Sequence, residues 1–287
     1  MATVPPLPYI PLEVGENIID QLDEHVDSLR SCALTCRGWS RHARRHLMAS
    51  IRIQSREDLY SICDYITSNP RISSFIRSVS ITPAPTANKP RFFLDVLPVH
   101  LLMRLPNLQR YCIADYRDAI LFHSIALVNL KAYVLVQELK LERVQFHTGA
   151  ELARFLIALP QLRRLECHEV RSSAAMTAGP ALFRDKCPKL SEVAIWHRTD
   201  VHTVGLIVQM SFSALNVLQF DGNNLSDLQG HAGAIDLCEL KHLQSLDIMT
   251  DHCEWVDVAI RRILSNDTLR LPATTRLQLW CDLYDYM

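Results

Sequence analysis

Residues 105–113 read LPNLQRYCI, residues 159–167 LPQLRRLEC, residues 187–195 CPKLSEVAI and residues 240–248 LKHLQSLDI. The four stretches share one frame: an apolar residue, another three positions later, then two more flanking a variable position. The closing triplet recurs along the chain as Ile51-x-Ile53, Val79-x-Ile81, Tyr111-x-Ile113, Leu139-x-Leu141, Leu165-x-Cys167, Val193-x-Ile195, Leu218-x-Phe220, Leu246-x-Ile248 and Leu277-x-Leu279. Successive triplets stand 28, 32, 28, 26, 28, 25, 28 and 31 residues apart. Most have an apolar residue three positions ahead, at Leu108, Val136, Leu162, Leu190, Leu215 and Leu243. Such a triplet suits a short strand, with two side chains on one face and the variable one on the other.

Between triplets the apolar period becomes helical. Leu59, Ile62, Cys63 and Ile66 fall on one helix face, as do Leu152, Phe155, Leu156 and Leu159 behind a Thr148…Glu151 capping box. Val256, Ile260, Ile263 and Leu264 predict another helix, with Asp251 as its N-cap. One strand and one helix per repeat cannot bury both faces alone, so the units must stack into a parallel sheet with helices outside. A doubly wound α/β sheet alternates the same elements. Its strands, however, are continuously apolar and its ligand turns glycine-rich, whereas this chain has 8 glycines in 287 residues. The frame resembles the leucine-rich repeat family in its longer, helix-containing form, over about residues 50–287. The resemblance implies an α/β chain with a curved parallel sheet, a βα solenoid of about nine units over residues 49–287. The Asn or Cys that follows the strand in that family is missing from most units, which predicts irregular turns.

Residues 9–48, YIPLEVGENIIDQLDEHVDSLRSCALTCRGWSRHARRHLM, lie outside this frame, behind a short tail at residues 1–8. Pro11 opens a helical stripe of Val14, Ile18 and Leu22. Asp27 can cap a second helix carrying Leu29, Cys32, Ala33 and Cys36, and Trp39, Ala43, His46 and Leu47 mark the inner face of a third. Three short helices make a very small core, which ordinarily needs a neighbour or partner for support. The segment Ile10-Pro11-Leu12-Glu13-Val14, with Ile18, Ile19, Leu22 and Leu29 and the run Ala33-Leu34-Thr35-Cys36-Arg37-Gly38-Trp39, resembles the F-box motif. It departs from that motif at Ile10, where Leu is usual, and at Thr35, where Val is common. The resemblance implies docking onto the Skp-type adaptor of a cullin-based ubiquitin ligase, with the repeats holding a protein target. Val14, Ile18, Leu22 and Trp39 are expected inside. Pro11, Leu12, Ile19, Leu29 and Leu34 are left as the expected adaptor-binding face. The alternative is a non-degradative scaffolding repeat protein whose F-box is vestigial.

Composition narrows the remaining classes. Thirty basic against 31 acidic side chains give a net charge of −1, which removes the global electrostatic case for nucleic acid. The nine cysteines form no C-x-x-C, and most are expected as apolar filler, Cys32 and Cys36 included. The histidines show no metal spacing in the sequence reading. No Walker loop, H-E-x-x-H, G-x-S-x-G or G-x-G-x-x-G occurs, so a non-catalytic protein without cofactor or metal is expected. The N-terminus lacks a signal-peptide pattern and no run of about 18 apolar residues exists. A cytoplasmic or nuclear protein, not attached to a membrane, is the expectation.

Two further surfaces stand out. Arg37, Arg41, Arg44 and Arg45 follow one side of the third helix, as a solvated face or a contact for phosphate or an acidic protein. In the repeats, residues between and beside the apolar pair face the concave side of the sheet. There Trp196, with Arg164 and His168 one unit before it and Asp221 one unit after, is the expected target-binding centre, because interfaces favour Trp and Arg. Pro83–Pro90 reads as an inserted loop. Asp282 and Asp285 are expected to blunt the last sheet edge.

Overall fold

The computed structural model describes residues 10–22, 25–84, 100–116, 119–172 except 121, 123 and 132, 180–221 except 197, 240–250 and 275–281. The helix expected near residues 256–264, the loop at residues 85–90 and the acidic residues after 281 lie outside these. Helices α1 (Leu12–Asp20), α2 (Val26–Thr35) and α3 (Arg37–Ala49) come first. Then follow β1 (Ser50–Ile53), α4 (Arg56–Ser68), β2 (Ser78–Ile81), β3 (Arg110–Ala114), α5 (Ser124–Leu130) and β4 (Glu138–Glu142). Next are β5 (Gln145–Phe146), α6 (Gly149–Ile157), β6 (Arg164–His168), β7 (Arg171–Ser172), β8 (Glu192–Trp196) and α7 (Val201–Met210). Strands β9 (Val217–Asp221), β10 (Ser245–Thr250) and β11 (Arg276–Cys281) close the chain.

Among the described residues the main sheet has nine strands, all parallel, in the order β1-β2-β3-β4-β6-β8-β9-β10-β11, and β5 pairs with β7 apart from it. This order never reverses, which excludes the doubly wound arrangement, whose strand order turns back at a switch point. Each strand carries one of the apolar triplets, and the triplets pair in register: Ile51 with Val79, Val79 with Tyr111, Tyr111 with Leu139, Leu139 with Leu165, and onward to Leu246 with Leu277. The register follows from burial, because a slip of one residue would turn every apolar pair to the wrong face. The leading residues Leu108, Val136, Leu162, Leu190, Leu215 and Leu243 are all buried in the same core. Helices supply the other wall. Leu59, Cys63 and Ile66 of α4 and Leu152, Phe155 and Leu156 of α6 are buried. A full capping box, Ser55 with Asp58, starts α4. At α6 the Thr148 hydroxyl accepts from the Glu151 amide, but the Glu151 carboxylate pairs with Arg154.

The turns that leave β3, β4 and β6 share one conformation. Asp115, Arg143 and Glu169, each directly after its strand, have φ of 55°, 50° and 51°, and Arg198 after β8 has φ of 45°. Left-handed backbone lets the Asp115 amide donate to the Glu142 carbonyl and the Arg143 amide to the His168 carbonyl, at 2.9 and 2.8 Å. A left-handed residue with this inter-strand bond therefore recurs after β3 and β4.

The first three helices enclose a separate core of Ile19, Leu29 and Ala43, with Leu22, Cys32, Ala33, Trp39 and Leu47 packed around it. No residue intervenes between α3 and β1. The Ala49 carbonyl accepts the Arg77 amide, the residue ahead of each main-sheet strand from β3 to β10 repeats that bond from Gln109 to Gln244, and Arg276 at the start of β11 donates to the Gln244 carbonyl. The end of α3 therefore starts the same backbone ladder that joins the repeats.

Candidate functional site

On the helical module, the surface differs from expectation by one step around α1. Ile19 is 0% exposed and Leu29 1%, so neither belongs to a partner face. Val14 and Ile18, expected inside, are exposed, as are Ile10, Leu12 and Val26. The reason lies at Gly15. Residues 14, 18 and 22 and residues 15, 19 and 22 are both plausible inner stripes of one helix. The second wins because Gly15, with no side chain, lets the Trp39 ring lie against the α1 backbone. Beside it Leu12 lies over Gly38, with Cδ1 2.6 Å from where a Cβ would sit. Pro11 is exposed, and Leu34 is 88% exposed. The expected adaptor face thus keeps Pro11, Leu12 and Leu34 and loses Ile19 and Leu29.

Leu34 lines an open depression of about 800 Å³ together with Arg37, Arg41, Arg44, Arg45, Met48 and Phe75. None of the four guanidinium groups has an ion-pair partner among the described residues. Cys36, expected in the core, is exposed, and its sulfur accepts from the Trp39 amide at 3.5 Å to start α3.

On the opposite side of α3 a cluster was missed in the sequence. His42 and His46, one turn apart, both approach Asp20 at the end of α1, with Nε2 to Oδ1 separations of 2.7 and 2.8 Å. The signal was the four-residue spacing. The helical stripe of Trp39, Ala43, His46 and Leu47 points His46 inward by periodicity, whereas the structure turns it toward Asp20.

On the sheet, the charges of the variable positions are largely paired with one another. Arg110 meets Glu138 at 2.9 Å, Lys140 meets Glu166 at 3.3 Å, and Arg164 meets Glu192 at 3.8 Å. His168 Nε2 lies 2.7 Å from Glu166 Oε1. That hydrogen bond, reinforced by the Lys140 charge, holds the Glu166 carboxyl down at about 2 against opposing burial. Burial works against the Lys140 ammonium, yet Glu166 and Glu142 together keep its pKa above the ordinary lysine value.

Of the expected target centre, His168 and Trp196 come together: they are register partners, with ring centroids 6.3 Å apart. Arg164 lies at the other end of β6, engaged with Glu192. Asp221 is 5% exposed, so its carboxylate does not form part of an open surface. Ala194 and Asp247 are buried as well, so this side of the sheet is less open at later strands than the repeat frame implies. No protein-family model and no curated protein matches the sequence.

Proposed function

We propose that this chain is the substrate-recognition subunit of an SCF-type (cullin) ubiquitin ligase. In this reading the three-helix module docks a Skp-type adaptor and the repeats hold a protein target. The observation that carries it is the distribution of apolar side chains in the module. Its fully buried core is Ile19, Leu29 and Ala43, with Leu22, Trp39 and Leu47 partly buried around it, while Ile10, Leu12, Val14, Ile18 and Leu34 are exposed. A module that exposes this many apolar side chains beside so small a core is suited to complete its burial against another protein. The direct passage of α3 into β1 supports the receptor reading, because it would hold a bound target at a fixed position relative to the docked adaptor. The His168–Trp196 pair offers an aromatic anchor on the sheet for that target.

Co-purification with a Skp-type adaptor tests the reading. Leu12→Ala with Leu34→Ala should weaken the complex by about 2 kcal/mol, roughly thirtyfold, since buried interface anchors commonly carry that much. Failure of the unaltered chain to bind any Skp-type adaptor would leave the scaffolding alternative in its place.

A further inference from the structure

We propose that Asp20, His42 and His46 form a binding site for a single zinc-like divalent metal ion that ties α1 to α3. The proposal does not depend on adaptor docking. Residues four apart on a helix share a face, so His42 and His46 present their Nε2 atoms to one point beside α3. Asp20, the last residue of α1, supplies a carboxylate oxygen at that point, and the three ligand atoms all lie within 4.8 Å of one another. The two rings are tilted by 53°, with centroids 5.2 Å apart, so they converge without stacking.

Two imidazoles and one carboxylate form a ligand set suited to zinc, cobalt(II), nickel or copper(II) rather than to calcium or magnesium, which prefer oxygen. Around a tetrahedral zinc with bonds near 2.0–2.1 Å, ligand atoms stand about 3.3 Å apart. The present 2.7 and 2.8 Å separations would need to widen by about 0.5 Å, within reach of small side-chain rotations. A second feature points the same way. Glu16, one turn before Asp20, places a carboxylate oxygen 3.8 Å from the other ring nitrogen of His42, too far for a hydrogen bond as it stands but close enough to form one after a small side-chain rotation. A carboxylate behind a ligating imidazole is the usual way of fixing its orientation and raising its basicity. Both imidazoles are about one-fifth exposed and Asp20 about half, so solvent can reach the ion and supply a fourth ligand. The physical benefit is local. Among its described residues the module has three fully buried apolar side chains, and an ion that binds the folded form adds its binding free energy to folding.

Calorimetric titration of the full chain with zinc chloride, after chelator treatment, tests the site. One equivalent should bind and raise the thermal midpoint, with magnesium and calcium giving no shift. His42→Gln with His46→Gln should abolish that binding. Asp20→Asn, which keeps shape and hydrogen bonding, should weaken it more than tenfold, and Glu16→Gln roughly tenfold. Cobalt(II) separates this site from the cysteines, of which the chain has nine. The bound ion should show the visible bands of tetrahedral nitrogen and oxygen ligation and no thiolate charge-transfer band. Absence of zinc binding, full binding retained in the double variant, or a thiolate band from the bound cobalt would each overturn the proposal. Circular dichroism confirms that the variants fold.

Discussion

The Trp39 indole packs directly on the backbone of Gly15, in the space where any other residue would carry its Cβ. This contact sets the rotation of α1 on α3 and so decides which apolar residues of α1 face outward.

Gly15→Ala should therefore destabilise the helical module. Ala is favoured over Gly in a helix by about 1 kcal/mol, but overpacking a filled interior costs about 1–3 kcal/mol. Because the obstacle is a rigid ring, overpacking should win, with a net loss of up to about 2 kcal/mol. Urea unfolding followed by Trp fluorescence measures it, with exposed Glu13→Ala as the control on the same helix. A Gly15→Ala protein as stable as the unaltered one would show that the two helices are not packed this closely.

The junction of α3 and β1 should resist proteolysis. Arg44, Arg45 and Arg52 offer trypsin three sites around it, yet the Ala49–Arg77 bond and the ladder beyond it hold the backbone. Under limiting trypsin, no stable fragment beginning near residues 46–53 should accumulate before the chain as a whole is degraded. Early release of an intact repeat fragment would show two independent bodies.

Arg41 stands one turn from both Arg37 and Arg45, and none of the three is neutralised by a described carboxylate. Like charges at this spacing cost a few tenths of a kcal/mol per pair and are screened by salt. Arg41→Gln should raise stability by up to about 0.5 kcal/mol at low ionic strength, the gain vanishing at high salt. A loss of stability at either ionic strength would mean that the Arg41 side chain makes a contact that supports the fold.

Glu166 links the acid stability of the sheet to pH. Its carboxyl titrates near 2 in the folded chain, against 4.5 for an ordinary glutamate, because His168 donates to it and Lys140 stands beside it. A depressed carboxyl stabilises the folded state above its unfolded pKa, and that contribution fades as the pH falls from about 4.5 toward 2. Across pH 5 to 3, the urea midpoint of the unaltered chain should drop more steeply than that of Glu166→Gln. Parallel pH profiles would remove this role for the pair.

The repeat was legible in the sequence because its signal is redundant. Nine triplets at a near-constant spacing each say the same thing about strand, face and register, and the structure carries every one of them into the sheet. A misread triplet would have been outvoted by its neighbours. The start of the first helix was legible from Pro11, whereas Cys36, read as part of the second helix, instead caps the third. What each helix turns toward its neighbours was not. Val14 and Ile18 advertise an inner face by hydropathy, yet it is Gly15, invisible to any hydropathy pattern, that admits Trp39 and rotates α1 by one position. The meeting of Asp20 with His42 and His46 depends on that same rotation, across 22 and 26 residues of chain. Asp221 shows the corresponding limit on the sheet, where its position in the frame predicts an open face and packing buries it. Periodic burial is a local property that repeats along the chain. The rotation of one helix on another is decided by a few interlocking shapes, and only the tertiary structure brings those together.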